Sequence, residues 1–225
     1  MKNLLSILAL AAVVVLSGCK KGEEDPFLSF SSRDGRLAGT WTLSSGTFNL
    51  GYTYSNGAED DPSAVVTDYD YNYELDGSNA AYSYTQTLNG AANGDASSSI
   101  PFTIEVTFDK EGTYTAHIVA SYPVRLDGGG ALDDYNQTSS GHWSWVNDGK
   151  NKVGLRLQQS AGGPVLGEPS LMNGNYRLKK LSGSEMIMTR DESFKEVRTG
   201  GVGGGGAVEV ITNTQASEFT MTKSE

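Results

Sequence analysis

LAGTWTLSSGTFNLGYTY, Leu37–Tyr54, decides the fold. Gly39-Thr40-Trp41 opens the first strand-like run of a chain whose pattern is all-β. An indole two residues after a glycine, at the head of such a chain, reads as a plug beneath a closed or half-closed sheet. Side chains alternate faces along a strand. Trp41 and Leu43 therefore share one face, and Phe48, Leu50, Tyr52 and Tyr54 share another. The phase changes at Ser44-Ser45-Gly46, where a bulge or bend is expected.

Working outward, Val65–Leu75 (VVTDYDYNYEL) alternates Tyr69, Tyr71, Tyr73 and Leu75 against Asp68, Asp70, Asn72 and Glu74. That pattern is a strand with one wet face. Asp76–Asn79 turns the chain and Ala81–Leu88 is its partner strand. Asn89–Ser99, small and polar, reads as a loop. Ile100–Tyr122 forms the clearest hairpin, turning at Asp109–Gly112. Arg125–Ser139 reads as a loop, Gly141–Val146 as a strand with Trp143 and Trp145 on one face, and Asn147–Lys150 as a turn. Val153–Leu157 is the next strand. Tyr176–Leu181 and Glu185–Arg190 make a short hairpin, and Ala207–Thr222 supplies two brief strands. The total is eight to eleven strands, with no helical stripe of useful length after residue 18. So many short sequential strands need a closed barrel or two packed sheets, because open edges invite aggregation. An eight-stranded barrel has an interior that is packed or holds one small ligand.

The 225 residues carry a formal charge of −10 and a single cysteine, Cys19. An acidic chain has no basic groove for phosphates, which excludes nucleic acid as a partner. Residues 1–18 have a basic start at Lys2, an apolar run Leu4–Leu16 too short to span a membrane, and the box Leu16-Ser17-Gly18 before Cys19. The segment resembles a bacterial lipoprotein signal, which implies cleavage before Cys19 and lipid, palmitate included, on that residue. The division is then a signal peptide at 1–18, a flexible linker at 19–36 and a single β-domain at 37–225. The resemblance makes the membrane a partner through Cys19. Lys20, where an aspartate would retain the protein in the inner membrane, implies the outer membrane, on its periplasmic or cell-surface face. With Cys19 lipidated, no thiol remains for a disulfide or a zinc–thiolate site.

LAGTWTL at 37–43, VTFDKEGTYTA at 106–116, SGHWSWVNDGKNKVGLRL at 140–157 and YRLKKLSGSEMIMTR at 176–190 together resemble the lipocalin-like lipoproteins of Bacteroidota. The resemblance implies an antiparallel up-and-down β-barrel of about 8–10 strands. It also implies that the tryptophan of a G-x-W motif packs beneath the barrel with a late basic residue across it. Gly39 and Trp41 match that motif. Arg190 and Lys223 are the candidates for the basic partner, and Arg190 is assigned to the plug.

No chemistry-bearing pattern marks an enzyme. Asp68, Asp70, Asn72, Glu74 and Asp76 alternate as calcium ligands do, but tyrosines fill the gaps, so a solvated strand face is expected and no metal site. His117 and His142 are too few for a histidine-only zinc site. Gly201–Gly206 lacks the lysine-serine ending of a phosphate loop. A hydrolase remains only a weakly marked alternative, and no cofactor is implied. The aromatics Tyr69, Tyr71, Tyr73, Trp143 and Trp145 are the best binding lead, since tyrosine and tryptophan join apolar area to a polar tip. The expected function is a noncatalytic, lipid-anchored envelope protein holding a small apolar or amphipathic molecule or a glycan fragment. The alternative is an envelope protein–protein interaction module with a filled core.

Overall fold

One short helix and ten strands make up the described part of the chain in a computed structural model, which describes residues 23, 25, 32–57, 64–120, 135–146, 152–161, 171–199 and 208–224. The helix is α1 (Arg33–Leu37). The strands are β1 (Gly39–Ser55), β2 (Val66–Leu75), β3 (Asn79–Leu88), β4 (Ala91–Phe108), β5 (Thr113–Ala120), β6 (Tyr135–Val146), β7 (Gly154–Ala161), β8 (Gly174–Leu181), β9 (Glu185–Thr199) and β10 (Val208–Lys223). Hydrogen-bonded neighbours run β1-β10-β9-β8-β7-β6-β5-β4-β3-β2 and return to β1, with an additional β1–β4 pairing.

That additional pairing corrects the lipocalin-like up-and-down barrel. A strand of such a barrel has two neighbours, whereas β1 has three. Its first residues, Gly39–Thr42, pair with β4 at Phe108–Glu105. Beyond the break at Ser44, Gly46–Ser55 pairs with β2 instead. Along its whole length β1 also pairs with β10, from Trp41↔Lys223 to Ser55↔Val210. At the base the ring therefore closes through eight strands: β1, β4, β5, β6, β7, β8, β9 and β10. Above the base, β2 and β3 are inserted between β1 and β4. There β9, β10, β1, β2, β3 and the first half of β4 rise as a six-stranded sheet. The register slip that permits the change of partner lies between Leu43 and Ser45, at the serine pair.

Several loop expectations are corrected. Asn89–Ser99 is a turn at Asn89-Gly90 followed by strand, paired from Leu88↔Ala91 to Ala81↔Ser99. Every side chain from Ala91 to Ser99 is exposed, so backbone bonding to β3, and not burial, makes this a strand. Periodicity cannot report a strand of that kind. β6 begins at Tyr135, inside the expected loop Arg125–Ser139. β9 runs on to Thr199, and β10 is one long strand where two brief ones are expected. The Asn147–Lys150 turn and the Gly201–Gly206 run lie outside the described residues.

One apolar cluster fills the ring. From β1 come Trp41, Leu43, Phe48 and Leu50, and from β4 Ile100, Phe102, Ile104, Val106 and Phe108. Leu155, Leu157, Tyr176, Leu178, Met186, Met188, Phe219 and Met221 face them from β7–β10. Trp41 is fully buried, and its Nε1 donates to the carbonyl of Leu37 at 2.7 Å. Lys223 Nζ lies 5.2 Å from the centre of the indole and donates to the carbonyls of Arg36, at 2.9 Å, and Ala38. Gly39 has φ +126°, and Lys223 Cε lies where a Cβ would project. The glycine thus lets the lysine cross onto the indole, which gives a physical reason for the Gly39-Thr40-Trp41 spacing. Trp41→Ala is expected to lower stability by roughly 3–5 kcal/mol in equilibrium denaturation. An unchanged unfolding midpoint would count against the indole as keystone.

Candidate functional site

Two regions concentrate chemistry. The first is the cap at the base. Ser32 starts α1 as its N-cap, accepting from Gly35 N at 3.1 Å, and Asp34 sits in the first turn. The helix carries Arg33 and Arg36 inward, both buried. Asp25 lies between them with no exposed side-chain surface, ion-paired to Arg33 and 3.8 Å from Arg36, and it accepts Leu181 N–H at 2.8 Å. Arg36 also donates to the carbonyl of Leu181. Burial pulls the Arg33 guanidinium below its ordinary range, and the carboxylate of Asp25 pushes the other way. Trp145 joins the cap from β6, donating to Asp34 at 2.6 Å, with Arg33 and Lys152 both within 6 Å of its ring. Trp143 donates to the carbonyl of Asp109 at 2.9 Å and packs edge-on against Trp145 and Phe108.

The second region is a tyrosine wall on the inner face of the six-stranded sheet. Cross-strand pairs Tyr71↔Tyr84 and Tyr73↔Tyr82 put the rings of β2 and β3 side by side. Ring contacts run without a break from Tyr52 to Tyr69, Tyr84, Tyr71, Tyr82, Tyr73 and Phe48, at centroid separations of 5.0–6.2 Å. At the upper end Tyr84 donates to Gln86, which in turn donates to Tyr69. Tyr71, Tyr73 and Tyr82 are buried, while Tyr52, Tyr69 and Tyr84 are only partly covered. Opposite Tyr82 and Tyr84 on β4 stand Ser98 and Ala96, both small and exposed. Burial raises the Tyr82 hydroxyl to about 12. Burial and then the neighbouring phenols raise Tyr71 further, and Tyr84 moves the same way.

The expected site residues are therefore divided. Tyr69, Tyr71 and Tyr73 line the wall, whereas Trp143 and Trp145 belong to the cap. Arg190 is not the cation on Trp41. It lies 5.7 Å from the ring of Tyr176, passes over Gly174 and bonds Glu192 at 2.6 Å. Lys223 holds the position over Trp41. Cys19 lies outside the described residues. Sequence reading missed Asp25, Arg33 and Arg36, although the capping signal Ser32-Arg33-Asp34 was present.

The acidic face of β2 stays on the outside. Asp68 accepts the hydroxyls of Thr53 at 2.8 Å and Thr87 at 3.1 Å, and no group of three metal-ligating side chains occurs among the described residues. His117 is exposed, 3.5 Å from the Thr138 hydroxyl, and His142 is exposed too. A depression of about 140 Å³ lies on the outer face over Gly51, beside Asp70 and Asp191. A second, open and about 420 Å³, is lined by Asn72, Glu74, Ala81, Ser83 and Ser97. Both are open depressions of mixed polar and apolar lining, the second reaching Tyr82, unlike the enclosing, mostly apolar pocket a small apolar ligand requires. Inside the ring stands the apolar cluster, and buried Gln215, Ser217 and Ser139 have side-chain atoms without a partner among the described residues. An apolar guest set against such groups could not compensate their lost hydration. The expectation of a small-molecule carrier is corrected accordingly.

No family model matches the chain, and no curated protein sequence matches it. Among solved structures it matches the secretin InvG of the Salmonella SPI-1 type III secretion injectisome (residues 176 to the end, open gate state), at 10% identity and TM-score 0.20 over 82% of this chain and 59% of that one. The InvG secretin domain β-barrel gives 10% identity and TM-score 0.20 over 82% and 61%. The type II secretin XcpQ of Pseudomonas aeruginosa gives 7% and 0.17 over 83% and 58%. The chain thus spans less than two thirds of the chains it matches. Likenesses this distant carry no argument about fold or activity. The lipocalin-like resemblance is corrected together with the barrel, because β1 has three strand partners where an up-and-down barrel allows two.

Two outcomes test the site. Asp25→Asn leaves two buried guanidinium groups without their carboxylate and is expected to cost roughly 3–5 kcal/mol by denaturant titration. The wall should also show in alkaline titration. A phenol whose folded pKa lies above its ordinary ~10 favours the fold while protonated, so its contribution is complete below pH ~10 and is lost as pH climbs through the folded value. Phenolate absorbance should show some of the 11 tyrosines ionising near the ordinary value and a second set nearer 12, together with unfolding. A single titration near 10 in a protein that stays folded would contradict the buried wall.

Proposed function

We propose that this chain is a noncatalytic protein-interaction module of the bacterial envelope. It is a single β-domain held at the outer membrane by lipid on Cys19, and it engages a protein partner through its tyrosine wall. One observation carries the reading. The tyrosine row passes from buried to half-covered as the eight-strand ring gives way to the six-stranded sheet, and it ends against the small side chains of Ala96 and Ser98. Tyrosine presents large area on few rotatable bonds and keeps a hydroxyl for hydrogen bonding, the combination enriched in protein interfaces. The apolar core beneath supports the same reading, because the side chains of the described strands pack against one another there. The box Leu16-Ser17-Gly18-Cys19 supports the anchor, and the net charge of −10 gives no electrostatic hold on an anionic leaflet, so the lipid has to provide it.

Cells expressing the protein with a photo-crosslinking residue at Tyr69 or Tyr84 should yield a discrete crosslinked polypeptide, and the same residue at outward-facing Glu74 should not. Tyr84→Ala should weaken the isolated complex by ~2 kcal/mol or more, about thirtyfold in Kd. Recovery of the native protein with a bound small molecule and without a polypeptide would overturn the proposal.

A further inference from the structure

We infer that Asp25 and Glu23 fix how the protein stands on the membrane, with the β8 side of the base held against the lipid surface and the far end of the six-stranded sheet standing away from it. This inference rests on lipidation of Cys19. The segment that follows Cys19 is secured to the fold well before α1 begins. Glu23 pairs with Arg177 on the outer face of β8, and Asp25 is buried beneath Arg33 with Leu181 N–H at 2.8 Å. Glu23 follows Cys19 by only four positions and Asp25 by six. An extended chain reaches at most ~3.3–3.6 Å per residue, so the anchor lies within about 14 Å of Glu23 and about 21 Å of Asp25. Were the segment free up to Arg33, fourteen residues would allow about 50 Å.

The direction follows from the ring. The β8–β9 turn at Ser182–Ser184, the end of β10 at Lys223 and the start of β1 at Gly39 all lie at the base, tied by Ser182 N to Glu185 O and Lys223 N to Ser184 O. The Asn89-Gly90 turn between β3 and β4 lies at the far end, and at the base β4 stands four places from β8 around the eight strands, on the opposite wall. β1 alone, at 17 residues, is ~56 Å long. The far end therefore lies well outside the reach of the secured tether. Nearby cations do not draw the base to anionic lipid, because Arg177, Lys179 and Lys180 are paired with Glu23, Glu218 and Glu185. The short secured span sets the orientation.

The test uses full-length, lipidated protein reconstituted into phosphatidylethanolamine–phosphatidylglycerol vesicles that carry an energy-transfer acceptor on the headgroups. With Cys19 blocked by its lipid, an introduced cysteine carries the donor, in Ser184→Cys at the base or Ala92→Cys at the far end. Transfer should be several-fold stronger from position 184 than from position 92. Inserting twelve Gly-Ser residues between Gly22 and Glu23, which leaves Asp25 in place, should bring the two values together. Asp25→Asn should do so as well if it folds. Equal transfer from both positions with the native tether, or stronger transfer from 92, overturns the orientation alone. Protein that does not bind the vesicles overturns the anchor at Cys19 and the orientation with it.

Discussion

The joint between Trp41 and Lys223 governs the architecture. The indole is anchored to the carbonyl of Leu37, the ammonium lies over its face, and Gly39 leaves the space through which the lysine arrives. Burial lowers the pKa of the part-buried lysine, and the ring and the two carbonyls it bonds hold the cation in place. A cation over an indole adds about 0.5–2 kcal/mol, a minor part of what burying the indole contributes. Its larger effect is geometric: the first and last strands are brought into register there, and α1 is fixed as the lid of the base.

From that joint the change of partner along β1 follows. A strand that begins beside β4 and ends beside β2 must slip its register, and the slip falls at two serines next to a glycine. The ring is thus closed where Trp41, Phe108 and Met221 fill it, and it unrolls where tyrosine replaces aliphatic side chains. The same aromatic row serves as core at Tyr73 and as surface at Tyr69. The phenols thus grade from the packed base to the exposed end without a separate pocket.

Much of this was legible in the residues. The alternation of β2, the hairpin of β4 and β5, the position of the Ser44–Gly46 break and the placing of Trp41 follow from period and side-chain size. What period cannot show was missed. Residues 91–99 are strand because β3 offers them hydrogen bonds, although no side chain there is buried. β1 and β4 meet across more than sixty residues, and no local pattern encodes that meeting. Arg190 and Lys223 looked equivalent as late basic residues, and only the register of β10 on β1 tells them apart. Asp25 looked like one more charge in a polar linker, and its burial depends on two arginines brought to it by a helix of five residues.

The pairing of β1 with β10 also constrains the order of events during synthesis. Trp41 meets Lys223, so the first strand made awaits the last. β4 and β5, or β8 and β9, can form as local hairpins, but the lid of the ring cannot seat until the final residues are free. Until the residues around Lys223 have emerged, the Trp41 indole lacks its cation and its neighbouring strand β10. A chain cut short within β10 would leave the first strand unmated along that edge.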